Sequence, residues 1–273
     1  MASPDAQYSG LSYSPPQIQH RYGGNVHILA DPLALNLLAQ LCSRGTVQPR
    51  VNQLMKRLYQ TLLHQVVASE FPNAEQAIET RMIDILPEGV WRGPAIDTAA
   101  KAVAVAVARA GIMPSQVAYD YLNETVDPNG VRQDHLSLAR ETDADGKVTG
   151  AALGSAKIGG DVDGAFMLIP DPMGATGSTI SKVLGHYRAH VKGTPKRVLA
   201  LHLIITPEYL RHVTSNHPDV SVWAFRLDRG LSSPEALAAV PGELWDQECG
   251  LTDQQYIVPG GGGLGEVMNN SYC

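Results

Sequence analysis

Short apolar runs alternate with helical patterns in the second half of the chain, and this alternation restricts the fold more than any other feature of the sequence. The apolar runs lie at 165–169, 197–206 and 220–227, and each has the length of a buried strand. Helical patterns fill the intervals at 178–190 and 207–216. Strands that alternate with helices imply a mainly parallel sheet that helices cover on both faces. Ligands of such a sheet bind beyond the carboxyl ends of its strands.

The first half of the chain fits the same α/β architecture. Residues 50–70 place apolar side chains at three- and four-residue spacings, which predicts an amphipathic helix that ends before Pro72. The run AAKAVAVAVARA at 99–110 is rich in Val and Ala and predicts a buried strand that delivers Arg109 to its carboxyl end. We therefore predict a single α/β domain over residues 25–273.

Three segments depart from this pattern. Residues 1–24 are rich in Ser, Pro, Gln, Tyr and Gly, and we interpret them as an extended N-terminal arm. The polar, glycine-bearing stretch within about 135–160 predicts a mobile hairpin flap. Residues 232–255 combine the helical pattern SPEALAAV with the apolar pair Leu244 and Trp245, and we interpret this segment as an inserted lid.

Composition excludes several classes of function. The net charge of −6 argues against non-specific nucleic-acid binding, because that binding needs Lys and Arg to displace counterions from phosphates. The three cysteines lack CxxC spacing and the nine histidines lack spacings such as HExxH, so neither a disulfide framework nor a zinc site is predicted. The chain has neither a signal-peptide pattern nor an apolar run of about 20 residues that could span a bilayer. We therefore expect a cytoplasmic protein with neither a membrane nor a nucleic-acid partner.

The segment DPMGATGST at 171–179 connects a predicted strand to a predicted helix. Small residues in such a turn let backbone N–H groups approach a phosphate, and hydroxyl groups at the start of a helix add further donors. Asp171 is placed to accept hydrogen bonds from ribose hydroxyls. The turn lacks the lysine of GxxxxGK[ST] and also lacks GxGxxG, which argues against an ATP-binding P-loop and a dinucleotide site. These residues alone are equally consistent with a tight turn that only caps a helix.

This segment resembles the loop with which uracil phosphoribosyltransferases bind 5-phosphoribosyl 1-diphosphate (PRPP). The family's usual form is DPMLATGGS, so the main changes are Gly174 for a leucine and Thr179 for a serine. ARAGIM at 108–113 is similar to the family's LRAGLGM, and HPDV, DRGL and YIVPG follow in the family's order. The resemblance covers roughly residues 26–270. It implies a type I phosphoribosyltransferase-like α/β fold, with a mainly parallel central sheet flanked by helices, a flexible hairpin flap and a C-terminal base-binding hood.

The resemblance assigns a role to each matching residue. Asp171, Arg109 and Arg140 are the catalytic candidates, and the two arginines would hold the diphosphate through guanidinium forks that suit phosphate oxygens. Lys157 matches a lysine of the family's hairpin. The predicted PRPP-binding residues are Arg109, Arg140, Lys157, Asp171, Gly174, Ala175, Thr176, Gly177, Ser178 and Thr179. The predicted base-binding residues are Tyr256, Ile257, Gly262, Gly263 and Leu264.

Other interpretations of these residues stay open. Arg140 and Lys157 fit solvated surface charges as well, and Arg109 fits a structural ion pair. The glycines at 260–263 also fit a flexible surface loop.

The reaction implied by the resemblance converts uracil and PRPP to UMP and diphosphate. A pyrimidine ring nitrogen would displace diphosphate at ribose C1, so catalysis would rest mostly on positioning and electrostatics. Mg2+ is the implied cofactor, held mainly by PRPP itself, with no certain metal ligand in the chain. The expected partners are PRPP and a pyrimidine-like base, and the family implies a homodimer or a higher homo-oligomer.

The resemblance breaks down in the base-binding loop. Residues 260–267 read GGGGLGEV where the family usually has GLGDAGDR, so Gly263 replaces an aspartate and Glu266 stands for a second one. Near the N-terminus, Cys42 occupies the position of a family arginine. Three hypotheses stay open, with uracil as the default acceptor. The chain is a uracil phosphoribosyltransferase, a same-fold enzyme for a different nitrogenous acceptor, or a non-catalytic regulatory or structural homologue that binds PRPP or a nucleotide.

Overall fold

The computed structural model describes residues 5–8, 12–142 and 148–271, with only the backbone described at 139–142 and 148–153. In chain order the elements are β1 (Val26–Ile28), α1 (Pro32–Leu41), α2 (Arg50–Glu70), β2 (Asn73–Glu79), β3 (Val90–Ile96), β4 (Ala102–Ala108), α3 (Ile112–Thr125), β5 (Val131–Thr142), β6 (Val148–Lys157), β7 (Phe166–Pro170), β8 (Met173–Gly174), α4 (Ser178–His190), β9 (Arg197–Ile205), α5 (Pro207–Asn216), β10 (Val220–Leu227), α6 (Pro234–Ala238) and α7 (Leu264–Val267).

The central sheet has the strand order β1-β10-β9-β7-β4-β5-β6, with β8 added beside β9. Neighbouring strands are parallel, except that β5 and β6 form an antiparallel hairpin. Every residue of β7 is buried and β4 is buried over all but its last residue, because helices cover both faces of a parallel sheet. The predicted parallel sheet is confirmed.

Two apolar clusters lie on opposite faces of this sheet. Helices α1, α2 and α3 contribute to one cluster, where Leu54 and Leu58 pack with Phe166 of β7. Helices α4 and α5 contribute to the other, where Leu184 and Leu210 pack with Ile169. The three- and four-residue spacing predicted for α2 buries nine of its side chains, from Val51 to Val67. The two helical layers hold the carboxyl ends of the strands in fixed positions.

The predicted elements of the second half agree closely with the structure. Helices α4 and α5 and strand β10 have the predicted bounds, and the Thr206 side chain caps the amino end of α5. The hairpin of β5 and β6 lies where the flap was predicted, while its mobility stays a prediction. The antiparallel pair of β2 and β3 was not predicted and stands outside the central sheet.

The N-terminal segment and the predicted lid pack against each other. Tyr22 is buried, its hydroxyl donates to the Glu248 carboxylate, and its ring meets Trp245 edge to face. Arg229 bridges to the same Glu248 at 2.8 Å. Trp245 Nε1 also donates to the Pro207 carbonyl of α5 at 3.1 Å. Residues 232–255 are therefore anchored to the body of the fold at several points.

Within the described ranges, no helix combines the length and the apolar composition that crossing a bilayer requires.

Candidate functional site

The loop from Asp171 to Thr179 joins β7 to α4 and exposes a row of amide groups. Gly177 has φ of +81°, a left-handed conformation that glycine adopts readily, and its chain turns there into α4. Among the described residues, no acceptor meets the N–H groups of Ala175, Thr176, Gly177 and Thr179. Because these groups stand at the positive end of a 13-residue helix, the loop suits an anion.

The carbonyl side of this loop is fastened to the end of β9. Thr206 donates its N–H to the Gly174 carbonyl at 3.1 Å and its hydroxyl to the Ala175 carbonyl at 2.7 Å. In addition, the Thr176 and Ser178 hydroxyl oxygens lie 3.0 Å apart. The loop therefore has a fixed backbone in which the Gly174 and Ala175 carbonyls are engaged. The N–H groups of Ala175, Thr176, Gly177 and Thr179 meet no acceptor among the described residues.

Asp171 begins this loop and borders the cavity above the sheet. Its Oδ1 accepts the N–H of Met173 at 3.1 Å, which favours the charged form. Burial has the opposite and larger effect, and it raises the pKa of Asp171 to about 6. The carboxylate is therefore ionised at neutral pH but close enough to titration to respond to mild acid.

A cavity of about 620 Å³ joins the predicted phosphate-binding loop at 171–179 to the predicted base-binding loop. It brings together Asp171, Ala175, Thr176, Tyr256, Ile257, Gly262, Gly263 and Leu264. Ala110, next to Arg109, completes one wall, and Asp253, Gln254 and Gln255 of the inserted segment form another. A second cavity of about 60 Å³ is lined by Gly174, Gly177 and Thr179. Residues from both ends of the predicted site thus meet at the carboxyl edge of the sheet, as expected for this fold class.

The predicted base-binding loop rests on an ion pair with a buried carboxylate, which the sequence analysis did not predict. Arg226 Nε lies 2.6 Å from Asp228 Oδ1 at the end of β10. Asp228 Oδ2 accepts the Gly260 N–H at 2.7 Å, and Arg226 Nη2 donates to the Gly260 carbonyl at 2.9 Å. Arg226 also neighbours Cys42, whose sulfur would lie 3.0 Å from a Cβ on Gly261. A guanidinium group therefore lies beneath the loop although Cys42 occupies the family's arginine position.

Glu266 fills the space left by the missing side chain of Gly263. A Cβ built on Gly263 would lie 2.5 Å from Glu266 Oε2, closer than a real Cβ approaches another atom. The side chain of Glu266 has no hydrogen-bond partner among the described residues. Gly263 and Gly265, which both precede Glu266 in the chain, line the cavity.

The three predicted cationic residues are placed differently. Arg109 follows β4 directly, is exposed, and donates from Nη1 to the Ser271 carbonyl and hydroxyl, both at 3.3 Å. Lys157 is exposed at the end of β6, in register with His135. Arg140 pairs with Ala151 across the hairpin, and the prediction for its side chain falls outside the described residues.

The described residues offer carboxylates near the cavity but no cage for a metal. In the part of the chain that the structure describes, no three His, Cys, Asp or Glu side chains are close enough together to hold an ion. Asp171 at the cavity wall and Glu266 above Gly263 supply the kind of oxygen ligand that Mg2+ prefers.

Comparison with known proteins gives consistent matches. The family profile described as uracil phosphoribosyltransferase matches residues 28–243 and so ends before the base-binding loop. A uracil phosphoribosyltransferase of Dictyoglomus thermophilum is 23% identical over 243 residues, which cover 89% of this chain and 98% of that protein. One of Thermococcus sibiricus is 31% identical over 84 residues, 31% of this chain, and the match spans only 35% of that relative's length.

The fold is shared with a solved structure, the AQ2163 protein from Aquifex aeolicus. The two align with a TM-score of 0.66 at 19% identity, over 89% of this chain and 97% of the other. At this identity the likeness concerns the fold alone. The sheet order and flanking helices confirm the predicted type I phosphoribosyltransferase-like architecture.

Proposed function

Because the chain belongs to the uracil phosphoribosyltransferase family, we propose that it transfers the phosphoribosyl group of PRPP to uracil. A ring nitrogen of uracil would form a bond to ribose C1 while the bond from C1 to the diphosphate oxygen breaks. The products are UMP and diphosphate, and the nitrogen's proton is released to solvent. The observation that carries this proposal is the row of unengaged amides beside Asp171, which opens on the same cavity as the base-binding loop.

The phosphate-binding loop would hold the 5′-phosphate. The N–H groups of Ala175, Thr176, Gly177 and Thr179 are available, and the hydroxyls of Thr176, Ser178 and Thr179 lie in the same turn. Backbone donors at a helix terminus bind phosphate without needing a lysine, in keeping with the chain's acidic net charge. Asp171, ionised above pH 6, would accept hydrogen bonds from the ribose hydroxyls.

Arg109, Arg140 and Lys157 would hold the diphosphate. A guanidinium group presents two parallel donors to phosphate oxygens, and such contacts stabilise the charge that grows on the leaving group. When bound with PRPP, Mg2+ would offset part of this charge as a Lewis acid. Asp171 and Glu266 are the side chains of this chain that would complete its oxygen ligands. No side chain needs to act as a nucleophile, so the chain's contribution is to bind, orient and stabilise.

The base would lie against the loop from Tyr256 to Leu264. Ile257, Gly262 and Leu264 line the cavity, and their main-chain groups would meet the donors and acceptors of a uracil edge. The Leu264 N–H, which donates to the Gly262 carbonyl at 3.0 Å, would exchange that contact for the base. Tyr256, which is 63% exposed, would lie beside the ribose. The clamp of Arg226 and Asp228 on Gly260 supports this placement, because it restrains one end of a loop that four glycines would otherwise leave loosely ordered.

A second candidate function has one specific observation in its favour. Asp253, Gln254 and Gln255 of the inserted segment line the cavity, and their polar side chains offer hydrogen bonds that a uracil held by the main chain does not need. An enzyme that transfers phosphoribosyl to a different nitrogenous base would use them to select its acceptor.

The test is an assay of the purified protein with PRPP, Mg2+ and uracil, in which UMP and diphosphate are both quantified. Asp171→Asn, which keeps the size of the side chain and removes its charge, is the matched control for background activity. Equal formation of UMP and diphosphate by the wild type alone supports the proposal. Diphosphate release only with cytosine, orotate or hypoxanthine would favour the second candidate. Calorimetric PRPP binding without turnover of any base would identify a non-catalytic homologue.

A further inference from the structure

Gly174 and Tyr209 fit together beneath the phosphate-binding loop. A Cβ on Gly174 would lie 3.0 Å from Tyr209 Cδ2 and 3.1 Å from Ile205 Cγ2, tighter than most side-chain contacts. The tyrosine ring therefore occupies the space that a side chain at position 174 would need. The loop carries a glycine here, where its family usually has a leucine, because a ring from α5 fills the same volume.

The Tyr209 hydroxyl is connected to Asp171 by two hydrogen bonds through one intervening residue, His202. Tyr209 Oη lies 2.6 Å from His202 Nε2, and His202 Nδ1 lies 2.6 Å from the Asp171 carbonyl oxygen. Both side chains are 1% exposed, and both line the 60 Å³ cavity that Gly174, Gly177 and Thr179 share. A short polar connection is thus buried directly under the loop.

The direction of these hydrogen bonds is determined by the groups involved. A carbonyl oxygen can only accept, so His202 Nδ1 carries the hydrogen and Nε2 is left as the acceptor for the Tyr209 hydroxyl. Burial lowers the pKa of His202 to about 4, so the ring is neutral and keeps this tautomer at neutral pH. The Tyr209 hydroxyl, the His202 ring and the Asp171 carbonyl therefore form one chain of three groups with a fixed order.

We propose that His202 and Tyr209 are positioning residues that hold the Asp171 turn from behind, so that its carboxylate faces the ribose of PRPP. The inference rests on the proposed function, since it assigns these residues to the binding of that substrate. Asp171 has its side chain engaged by Met173 on one side and its carbonyl engaged by His202 on the other. A third contact, from the Asp171 N–H to the Leu201 carbonyl at 3.0 Å, holds the start of the turn on β9. Without the His202 contact the Asp171 carbonyl loses its donor, the turn is less restrained, and a buried acceptor is left unsatisfied.

Calorimetry with PRPP and Mg2+ tests the proposal on the full-length chain. Tyr209→Phe keeps the ring under Gly174 and removes only the hydroxyl, so we expect the Kd for PRPP to rise about fivefold. The matched control is Tyr187→Phe in α4, away from the loop. It removes another buried phenol, whose hydroxyl donates to Asp134 of β5 at 2.8 Å. Its Kd should equal that of the wild type. Thermal unfolding of each variant identifies any general loss of structure.

Substitutions of His202 separate a positioning role from simple packing. His202→Asn keeps an N–H donor near the Nδ1 position, whereas His202→Leu keeps the volume without any donor. We expect PRPP binding by the Asn variant to approach that of Tyr209→Phe and binding by the Leu variant to be weaker still. In steady state, KM for PRPP should rise in the same order, with a smaller change in KM for the base.

The outcomes distinguish this inference from the proposed function. If the wild type binds no PRPP, the proposed function is overturned and this inference with it. If the wild type binds PRPP and Tyr209→Phe binds it equally well, the positioning role alone is overturned. Equal losses in Tyr209→Phe and Tyr187→Phe would likewise contradict it, because they would reflect packing rather than contact with Asp171.

Discussion

Arg226 and Asp228 hold both main-chain groups of Gly260 through an ion pair with a separation of 2.6 Å between Arg226 Nε and Asp228 Oδ1. Asp228 is 1% exposed, so removal of its partner leaves a buried, unpaired carboxylate. Arg226→Ala should lower the free energy of unfolding by about 3 kcal/mol and raise KM for the base more than KM for PRPP. Urea unfolding and steady-state kinetics measure the two effects.

The matched control for this prediction is the ion pair of Arg211 and Asp246, whose Asp246 side chain is 93% exposed. Asp246→Ala should change the free energy of unfolding by less than about 1 kcal/mol, because solvent screens the pair. A similar destabilisation in both variants would show that the Gly260 clamp has no special role.

The raised pKa of Asp171 predicts a mild-acid limit for substrate binding. Since burial raises this pKa from 3.8 to about 6, the carboxylate gains a proton as the pH falls through 6 and can no longer accept from both ribose hydroxyls. PRPP affinity should therefore fall between pH 7 and pH 5, as measured by calorimetry. Asp171→Asn should bind weakly and show a smaller fall, because only the 5′-phosphate of PRPP then titrates at about pH 6. A wild-type profile that is flat over this range would contradict the assignment.

The raised pKa of Asp171 has the opposite consequence for folding stability, because the free energy of unfolding falls as the pH rises and the carboxyl group ionises. A carboxyl group whose folded pKa lies above its unfolded pKa binds a proton more tightly in the folded state. Its contribution is fully present below pH 3.8 and is lost as the pH rises through about 6. Asp171→Asn should consequently stabilise the protein at pH 7 and have little effect near pH 4, in urea unfolding at the two pH values. The ionised Asp171 thus lowers the free energy of unfolding at neutral pH.

The elements that could be predicted from sequence are those whose signals are local. Helices α4 and α5 have the predicted bounds because apolar periodicity and Pro207 mark them. The hairpin of β2 and β3 carried no such signal, since β2 alternates between half-buried and exposed residues without a buried face. The hydrogen bond from Gly260 to Asp228 joins residues that are 32 positions apart, and no short sequence motif predicts such a contact.

The candidate site also has one part that consecutive residues predict and another part that they do not. The loop from Asp171 to Thr179 was predicted from consecutive residues, and its geometry follows from one strand, one turn and one helix. His202 and Tyr209 were missed, and Glu266 was noted only as standing for an aspartate, because their relevance depends on which side chains they meet in space. The two substitutions that signalled them were Gly174 and Gly263, each a glycine where a larger residue is usual. In both cases a side chain from elsewhere takes the vacated volume.

The predicted homo-oligomer has a testable surface on the hairpin of β2 and β3. Large apolar side chains are exposed on these strands and in the connection between them: Ile78, Met82, Ile85, Leu86 and Trp91. A cluster of this kind is typical of an interface. Ile85 is 70% exposed. We expect Ile85→Glu to reduce the mass of the particle measured by light scattering. Val47→Glu, at a site 67% exposed between α1 and α2, should not. An unchanged mass for Ile85→Glu would place the interface elsewhere.

Glu266 provides a prediction about the lost aspartate of the base-binding loop. Its carboxylate lies where a side chain at position 263 would begin and has no hydrogen-bond partner among the described residues. If it replaces the missing charge, Glu266→Gln should lower kcat/KM for PRPP at least tenfold, with the larger effect at low Mg2+. Glu243→Gln, an exposed glutamate of the inserted segment, is the control and should be neutral.

A reciprocal experiment makes this prediction stricter. Gly263→Asp alone should reduce activity, because its Cβ would lie 2.5 Å from Glu266 Oε2 and two carboxylates would share one space. Gly263→Asp combined with Glu266→Ala removes the conflict and supplies one carboxylate from the family's usual position, so activity should recover well above that of either single variant. Additive losses in the double variant would mean that the two positions act independently and that Glu266 does not stand in for the aspartate.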